Sequence, residues 1–442
     1  MHTEPTSKPN LRHATRRQPD RFALSAAVML WLSACAGGSR SLDPRPIEAL
    51  PGLNPVDATA VAVQPLVPLD VVAQQTPPAA TGDPIRDIQQ DAERHLSIFC
   101  AQLWGSDNVL LPTKKQWVYY GEGWTSRGRM DFEAGEFQAQ ALVEPGTDAA
   151  AALGPLRTIV DHAVKDTPAD MARHDSTMRY AKRLAAVRGV AMEPVPAAPG
   201  SATAEPVSAG IIEPDAAERL SQGALTRATV LGTDGKRRTM LTYRVPFSPG
   251  YQSRLAARYA DLVRQEAGRF GLKPSLVLAV IETESAFNPR ATSPAPAYGL
   301  MQIVPTSGGR DSYHFVHGVS NVPGPEFLYD PANNIKLGAA YLRLLESNYL
   351  AAISDPQSRL YGMIAAYNTG SGNVARAFNR TTNVRAAAQI INQMAADGVY
   401  EHLRTQLPYE ETRRYIAKVT EAQRRYQAWD EAVVAQVPSD RP

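Results

Sequence analysis

The chain reads as α+β, with an all-helical C-terminal domain preceded by a smaller domain of mixed helix and strand. Three observations predict this. From about residue 116 to residue 246, apolar residues repeatedly alternate with polar ones and turn residues separate the runs. From about Tyr251 onward the apolar spacing changes to three and four, and no strand pattern intrudes. Within that helical part, Leu276, Val277, Leu278, Ala279, Val280 and Ile281 leave no polar face, as in a helix buried in a core. A chain of 442 residues with 44% apolar content has material for two such cores.

The N-terminus is built differently. Arg12, Arg16, Arg17 and Arg21 precede an apolar run from Phe22 to Leu32, and Leu32-Ser33-Ala34-Cys35 follows. A basic region, a short apolar core and small residues make a secretory signal over residues 1–34. With cysteine directly after L-S-A, the signal resembles that of a lipoprotein, which implies a lipid on Cys35. Ala36-Gly37 lacks the aspartate that resembles an inner-membrane retention mark, so the expected place is the outer membrane of a Gram-negative bacterium, facing the periplasm. Residues 35–82 are rich in proline and alanine without periodicity and read as a flexible tether. Cleavage before Cys35 removes five of the 46 basic and two of the 44 acidic residues, leaving 41 against 42. Such a balance gives no reason to expect nucleic acid as a partner. Cys100 is the second of only two cysteines and reads as a small core hydrophobe. No Cys/His cluster has metal-site spacing.

The smaller domain is expected over residues 83–248. Asp83-Pro84 caps a helix carried by Ile85, Ile88, Ala92, Leu96, Phe99 and Leu103 and closed by Gly105. Strands are predicted over 116–120, 127–132 and 136–143, with a turn at Glu133-Ala134-Gly135, then a helix over 148–164. A proline-, alanine- and glycine-rich loop occupies 191–210. Strands over 227–231 and 239–246 flank Thr233-Asp234-Gly235-Lys236, a hairpin signal.

The helical domain is expected over 249–442. Ala256, Tyr259, Leu262, Val263, Ala267 and Phe270 line one amphipathic helix ended by Gly271. The apolar helix that follows is expected to end at Asn288-Pro289, because the residue before proline is pushed out of the α region. Loops are expected from Pro289 to Gly318, and Asp330-Pro331 starts another helix. Further helical segments are predicted at 363–367, 373–378, 385–394 and 411–426.

Two carboxylates, Glu282 and Glu284, enter the apolar helix near its end. Glu284 follows Ile281, Val280 and Val277 by three, four and seven positions, so it prolongs their buried stripe. Desolvation there raises a carboxyl pKa, as a general acid near neutral pH requires. Glu282, two positions away, points to another face and is the second candidate. Around Glu284 stand Ser285, Phe287, Asn288, Pro289, Ala291 and Ser293, followed by Gly299, Leu300, Met301 and Gln302. The pattern E-S-x-F-N-P-x-A-x-S with G-L-M-Q resembles the signature of lytic murein transglycosylases with a goose-type-lysozyme-like fold. Asn334-Ile335 with Gly338, Tyr341 and Leu342, Ala366-Tyr367-Asn368 with Gly370, and Glu411-Thr412 with Tyr415 and Val419 extend the resemblance in order along the helical part. Trp117 to Tyr120 and Arg129 to Gly135 resemble the domain preceding the catalytic one in the membrane-bound C-type family of these enzymes.

The resemblance implies a lysozyme-like catalytic domain acting on peptidoglycan strands without metal or cofactor, with Glu284 as the acid. It implies that Tyr367 and Tyr415 bond around the acid and the sugar, that Gln302 and Asn368 make amide contacts, and that Ser285, Ser293 and Met301 contact substrate. Pro294, Pro296 and Tyr298 depart from the pattern and are expected to alter the cleft wall. Glycosidic hydrolysis normally takes two carboxylates. Between Glu284 and Glu326 the only acidic residue is Asp311, which suits a lyase whose sugar supplies its own nucleophile. The alternatives are a hydrolytic muramidase using Asp311, or a glycan-binding scaffold lipoprotein without catalysis.

Overall fold

A computed structural model describes residues 84–434, apart from 149, 151–152, 193–204, 222 and 224. The expected signal, Cys35, the tether and Asp83 lie outside the described residues. Helix α1 (Pro84–Trp104) begins on proline and buries Ile88, Ala92, Leu96 and Cys100, whose spacing of four keeps them on one face. Strands β1 (Gln116–Tyr120), β2 (Ser126–Asp131), β3 (Glu136–Val143), β4 (Thr226–Leu231) and β5 (Arg237–Pro246) form one antiparallel sheet in the order β1-β2-β3-β5-β4.

The two hairpins form where turn chemistry announced them. Asp131 Oδ1 accepts from Ala134 N at 2.8 Å and Gly135 adopts φ 70°, which only glycine takes cheaply. The central pairing of β3 with β5, from Glu136↔Pro246 to Val143↔Thr239, has no local signal. It is held by burial: β3 is covered along most of its length, partly by α2 (Leu153–Lys165). Helix α2 begins later than the predicted 148–164. Two helices absent from the sequence reading follow, α3 (Pro168–His174) and α4 (Ser176–Val187), the latter packing on α1. Asp175 caps α4 by accepting from Met178 N at 2.8 Å.

The C-terminal part is helical as expected, with local corrections. The single helix predicted through Tyr259 divides into α5 (Tyr251–Arg258) and α6 (Ala260–Phe270), because Tyr259 itself leaves the helical region at φ −99°, ψ 2°. Helix α7 (Pro274–Ser285) starts with proline in its first turn and buries every residue from Leu276 to Ile281. It stops three residues before Asn288. The cause is Ala286 and Phe287, at φ 50° and 66°, both left-handed without being glycine. Each such residue costs about 1–3 kcal/mol and persists only where its surroundings hold it. Here Phe287, 1% exposed, is fixed between the rings of Tyr259 and Tyr426, with centroids 6.4 Å away on both sides.

The loop predicted over 289–318 contains a π-helical turn, Pro305–Gly309, and α8 (Arg310–His317). Asp311 therefore stands in the first turn of a helix. After it come α9 (Pro325–Tyr329), α10 (Pro331–Leu344), α11 (Pro356–Thr369), α12 (Ser371–Asn379), α13 (Val384–Ile391), α14 (Ala396–Gln406), α15 (Glu410–Arg425) and α16 (Ala428–Val434). Asp330 caps α10, as Asp330-Pro331 predicted, by accepting from Asn333 N at 2.9 Å. Helix α7 is the centre of this part, packed against α6, α15 and α16.

The strand-bearing and helical parts interlock. Arg290 meets Asp175 at 2.5 Å with both side chains almost fully buried, and its guanidinium lies 3.9 Å from the centre of the Tyr329 ring. Asn288 Nδ2 donates to the carbonyls of Thr113 and Lys114 at 3.4 and 3.3 Å. Tyr298 donates to Gln89 of α1, and Lys182 of α4 pairs with Glu326 at 3.0 Å. The segment carrying Pro294 and Pro296, expected in the cleft wall, is thus tied through Tyr298 to α1.

Candidate active site

Glu284 occupies the last turn of α7, just before the left-handed turn at Ala286 and Phe287, and lines a cleft of about 460 Å³. Thr283, Asn368, Glu411 and Tyr415 line the cleft from the helical part, joined by Lys114 and Lys115 from the loop before β1. Glu284 is 6% exposed. Burial pushes its pKa up to about 7, against the opposing pull of Lys114 and of the Tyr415 hydroxyl. Lys114 Nζ stands 3.8 Å from Glu284 Oε2 and 3.9 Å from Glu411 Oε1.

Two tyrosines close over the acid. Tyr415 is 5% exposed, and its hydroxyl lies beside the carboxylate without reaching good hydrogen-bond geometry to any described group. Tyr367 donates to the carbonyl of Met301 at 2.8 Å. Burial, and after it the nearby Glu284 charge, hold both phenols well above their ordinary pKa, so both remain neutral donors across the physiological range. Asn368 accepts from Thr412 Oγ1 at 2.7 Å, which fixes its amide at the cleft edge.

Ser285, Ser293, Met301 and Gln302 sit in the layer behind. Ser285 is fully buried and donates to Ile281 O at 3.0 Å, while Ser293 donates to Ala295 O. Gln302 donates from Nε2 to Ala291 O and Gly299 O, each at 3.1 Å, leaving its buried Oε1 unpartnered among the described groups. Met301 packs on Gly338, where any Cβ would overlap its sulfur. Asn334 secures this layer by accepting from Met301 N at 2.7 Å and donating to Tyr298 O and Leu328 O at 2.8 and 2.7 Å. Gly299, at φ 73°, lies so near Leu328 O and Asn334 that no side chain fits. Four of the predicted contact residues thus brace the wall that Glu284, Tyr415 and Asn368 line.

Glu282 takes the other face of α7, as its spacing implied, and is held by Arg425 and by the Tyr426 hydroxyl at 2.5 Å. Asp311 accepts from Tyr349 at 3.1 Å and is not among the cleft's lining residues. Lys114, Lys115, Glu410, Arg414 and Lys418 are the cleft residues that sequence reasoning missed. Lys114-Lys115 lies between helix and strand patterns, and nothing local marks that loop as facing residue 284. Among the described residues, His162, Asp166 and His174 form one group with the composition of a metal site. Their imidazoles are stacked 4.0 Å apart and 1° from parallel, with His174 Nδ1 paired to Asp166 at 2.6 Å. The group is held by this ring stacking and by the His174–Asp166 contact.

A buried carboxylic acid flanked by two neutral tyrosines is equipped for general acid–base chemistry, and the comparisons give the class of enzyme, a lytic transglycosylase. The transglycosylase SLT domain family matches residues 261–391. A membrane-bound lytic murein transglycosylase C of Klebsiella pneumoniae is 34% identical over 326 residues, covering 73% of this chain and 85% of that one. The protein of the same name in Salmonella arizonae is 45% identical over 178 residues, covering 40% of this chain and 49% of that one. The 70 kDa soluble lytic transglycosylase of Escherichia coli aligns with a TM-score of 0.31 and 26% identity, over 39% of this chain and 24% of that one. The chain belongs to the membrane-bound lytic murein transglycosylase C family.

Proposed function

We propose that this chain, a peptidoglycan lytic transglycosylase, cleaves the β-1,4 bond between N-acetylmuramic acid and N-acetylglucosamine with Glu284 as its single acid–base. The burial of Glu284 beside neutral Tyr367 and Tyr415, with a pKa near 7, is the observation that carries the reading. Protonated Glu284 gives its proton to the bridging oxygen as the bond to muramyl C1 breaks. The resulting carboxylate then takes the proton of the muramyl C6 hydroxyl as that oxygen bonds to C1. A 1,6-anhydromuramic acid end forms, no water is consumed, and Glu284 is protonated again. Asn368, Tyr367 and Tyr415 hold the sugar, and Ser285, Ser293, Met301 and Gln302 support them from behind.

The acid must enter the reaction protonated, so kcat/KM is expected to fall as pH rises through about 7. A pH series of turbidity clearance on peptidoglycan sacculi measures this limb, and a rate that stays flat to pH 9 contradicts the assignment. One observation favours a second reading: Glu410 and Glu411 are further carboxylates in the cleft, which moves the hydrolytic alternative from Asp311 to Glu411, the one beside Lys114. Its side chain is 76% exposed and paired to Lys114, a solvated position unlike that of a nucleophile. Mass spectrometry of soluble products decides between them. Glu411→Gln is expected to keep releasing anhydro ends at within about tenfold of the parent rate, whereas a hydrolase gives reducing ends and loses about 10²–10⁴-fold with this variant.

The family is membrane-bound by name, and among the described residues no helix is long and apolar enough to cross a membrane. A lipid on Cys35 in the outer membrane supplies the attachment in this reading, supported by L-S-A-C and by the signal over residues 1–34. Residues 35–82 then give the reach from membrane to glycan, the 83–248 domain positions the site, and 249–442 carries it.

A further inference from the structure

The cations facing Glu284 enter from outside the SLT match, on a loop that belongs to the strand-bearing part of the chain. That loop, residues 109–115, is built onto the catalytic helices. Thr113 O accepts from Asn288 Nδ2 and from Thr292 N, both at 3.4 Å, and Lys114 O accepts from the same Asn288 amide at 3.3 Å. On its other side Thr113 N donates to Gln116 O at 2.8 Å and Thr113 Oγ1 accepts from Gln116 N at 3.1 Å, tying the loop to the start of β1. Residue 114 is thus fixed by its backbone between two elements, and its side chain lines the Glu284 cleft. The Lys114 side chain is 38% exposed, so the ammonium keeps contact with water while standing 3.8 Å from Glu284 and 3.9 Å from Glu411.

We propose that Lys114 is a positioning residue of the transglycosylase reaction, the counter-ion that holds Glu284 while it is ionised between the two proton transfers. The proposal rests on the reading of Glu284 as the acid. In the protonated resting state the buried carboxyl needs no partner. After it has protonated the leaving oxygen, a bare carboxylate remains, 6% exposed and largely removed from water. From α15 the cleft presents Glu410, Glu411, Arg414, Tyr415 and Lys418, and from α11 Tyr367 stands nearby; Arg414 is paired to Glu410, and of the two loop cations Lys115 is already bound to Glu133 at 2.5 Å. Lys114 is the positive group directly beside it, and Glu411 holds the ammonium from the solvent side. An opposite charge within about 4–6 Å typically moves a carboxyl pKa by 1–3 units. The direction here is downward, partly offsetting burial and making Glu284 the stronger acid.

The test uses the full-length chain in detergent with purified sacculi, measuring anhydromuropeptide release from pH 5 to 9 for the parent, Lys114→Met, Lys114→Arg and Glu284→Gln. Methionine keeps the length and removes the charge. Lys114→Met is expected to lower kcat by about tenfold with little change in KM, and to move the alkaline limb up by about one pH unit. Lys114→Arg is expected to return the limb to the parent position. A Lys114→Met limb that coincides with the parent's, whether or not the rate falls, overturns the proposal, because a bracing role changes rate or stability without moving a titration. If Glu284→Gln keeps parent activity, the failure lies with the acid assignment; if it is inactive while the Lys114→Met limb is unmoved, the failure lies with the lysine alone.

Discussion

Glu284→Gln should abolish release of anhydromuropeptides, with a loss of at least about 10³-fold, while the folded protein becomes more stable above neutral pH. The amide keeps the shape of the side chain and cannot give or take the proton. The stability gain follows from linkage. Burial raises the Glu284 pKa from 4.5 to about 7, so the folded state binds this proton more tightly than the unfolded state does. Its favourable contribution is complete below pH 4.5, fades as pH rises, and is lost above about 7, where the ionised carboxylate sits in the pocket at a disadvantage of about 3 kcal/mol. The variant is free of that disadvantage. Thermal melts at pH 5 and pH 8 should therefore separate the two proteins more widely at pH 8. Equal separation at both values, or a variant that still cleaves, would count against Glu284 as the buried acid.

Asp175→Ala should be the most damaging substitution away from the cleft. It leaves the Arg290 guanidinium, 3% exposed, buried without its carboxylate, and it removes the cap of α4. Breaking a buried pair by deleting one partner costs about 3–5 kcal/mol, and loss of a cap about 1 kcal/mol more. Arg290 follows the acid by six positions and shares its loop with Asn288, so activity should fall together with the melting temperature. Asp175→Ala combined with Arg290→Met replaces the orphaned charge with an apolar side chain and should recover much of the stability. Chemical denaturation of the parent and the two variants checks this; a single variant within about 1 kcal/mol of the parent would show that the pair contributes little.

What the sequence revealed and what it concealed divide along physical lines. Hairpin turns, capping pairs such as Asp330-Pro331 and the apolar stripe under Glu284 depend on neighbours a few positions apart, and all three were legible. The glycines at 299 and 338 were legible as motif members, although the reasons for them, a nearby carbonyl and a methionine sulfur, needed coordinates. The pairing of β3 with β5, the seating of Lys114 beside Glu284 and the Arg290–Asp175 contact join residues roughly a hundred or more positions apart. No periodicity encodes them. The end of α7 was misplaced because a proline rule was applied where Ala286 and Phe287 instead take positive φ, which their side chains alone do not favour.

That left-handed pair ends α7 right after the acid, and Tyr259 and Tyr426, the rings that hold it, are not among the residues lining the Glu284 cleft. Phe287 keeps its conformation because Tyr259 and Tyr426 clamp its ring. Enzymatic output therefore depends on ring contacts made outside the lining of that cleft. A change at Tyr259 that lets the helix wind one residue further would turn the chain leaving α7 by about 100° and displace the wall behind Glu284. Such a mutant would look like a catalytic defect in every kinetic assay and like an unrelated core substitution on any map of the cleft.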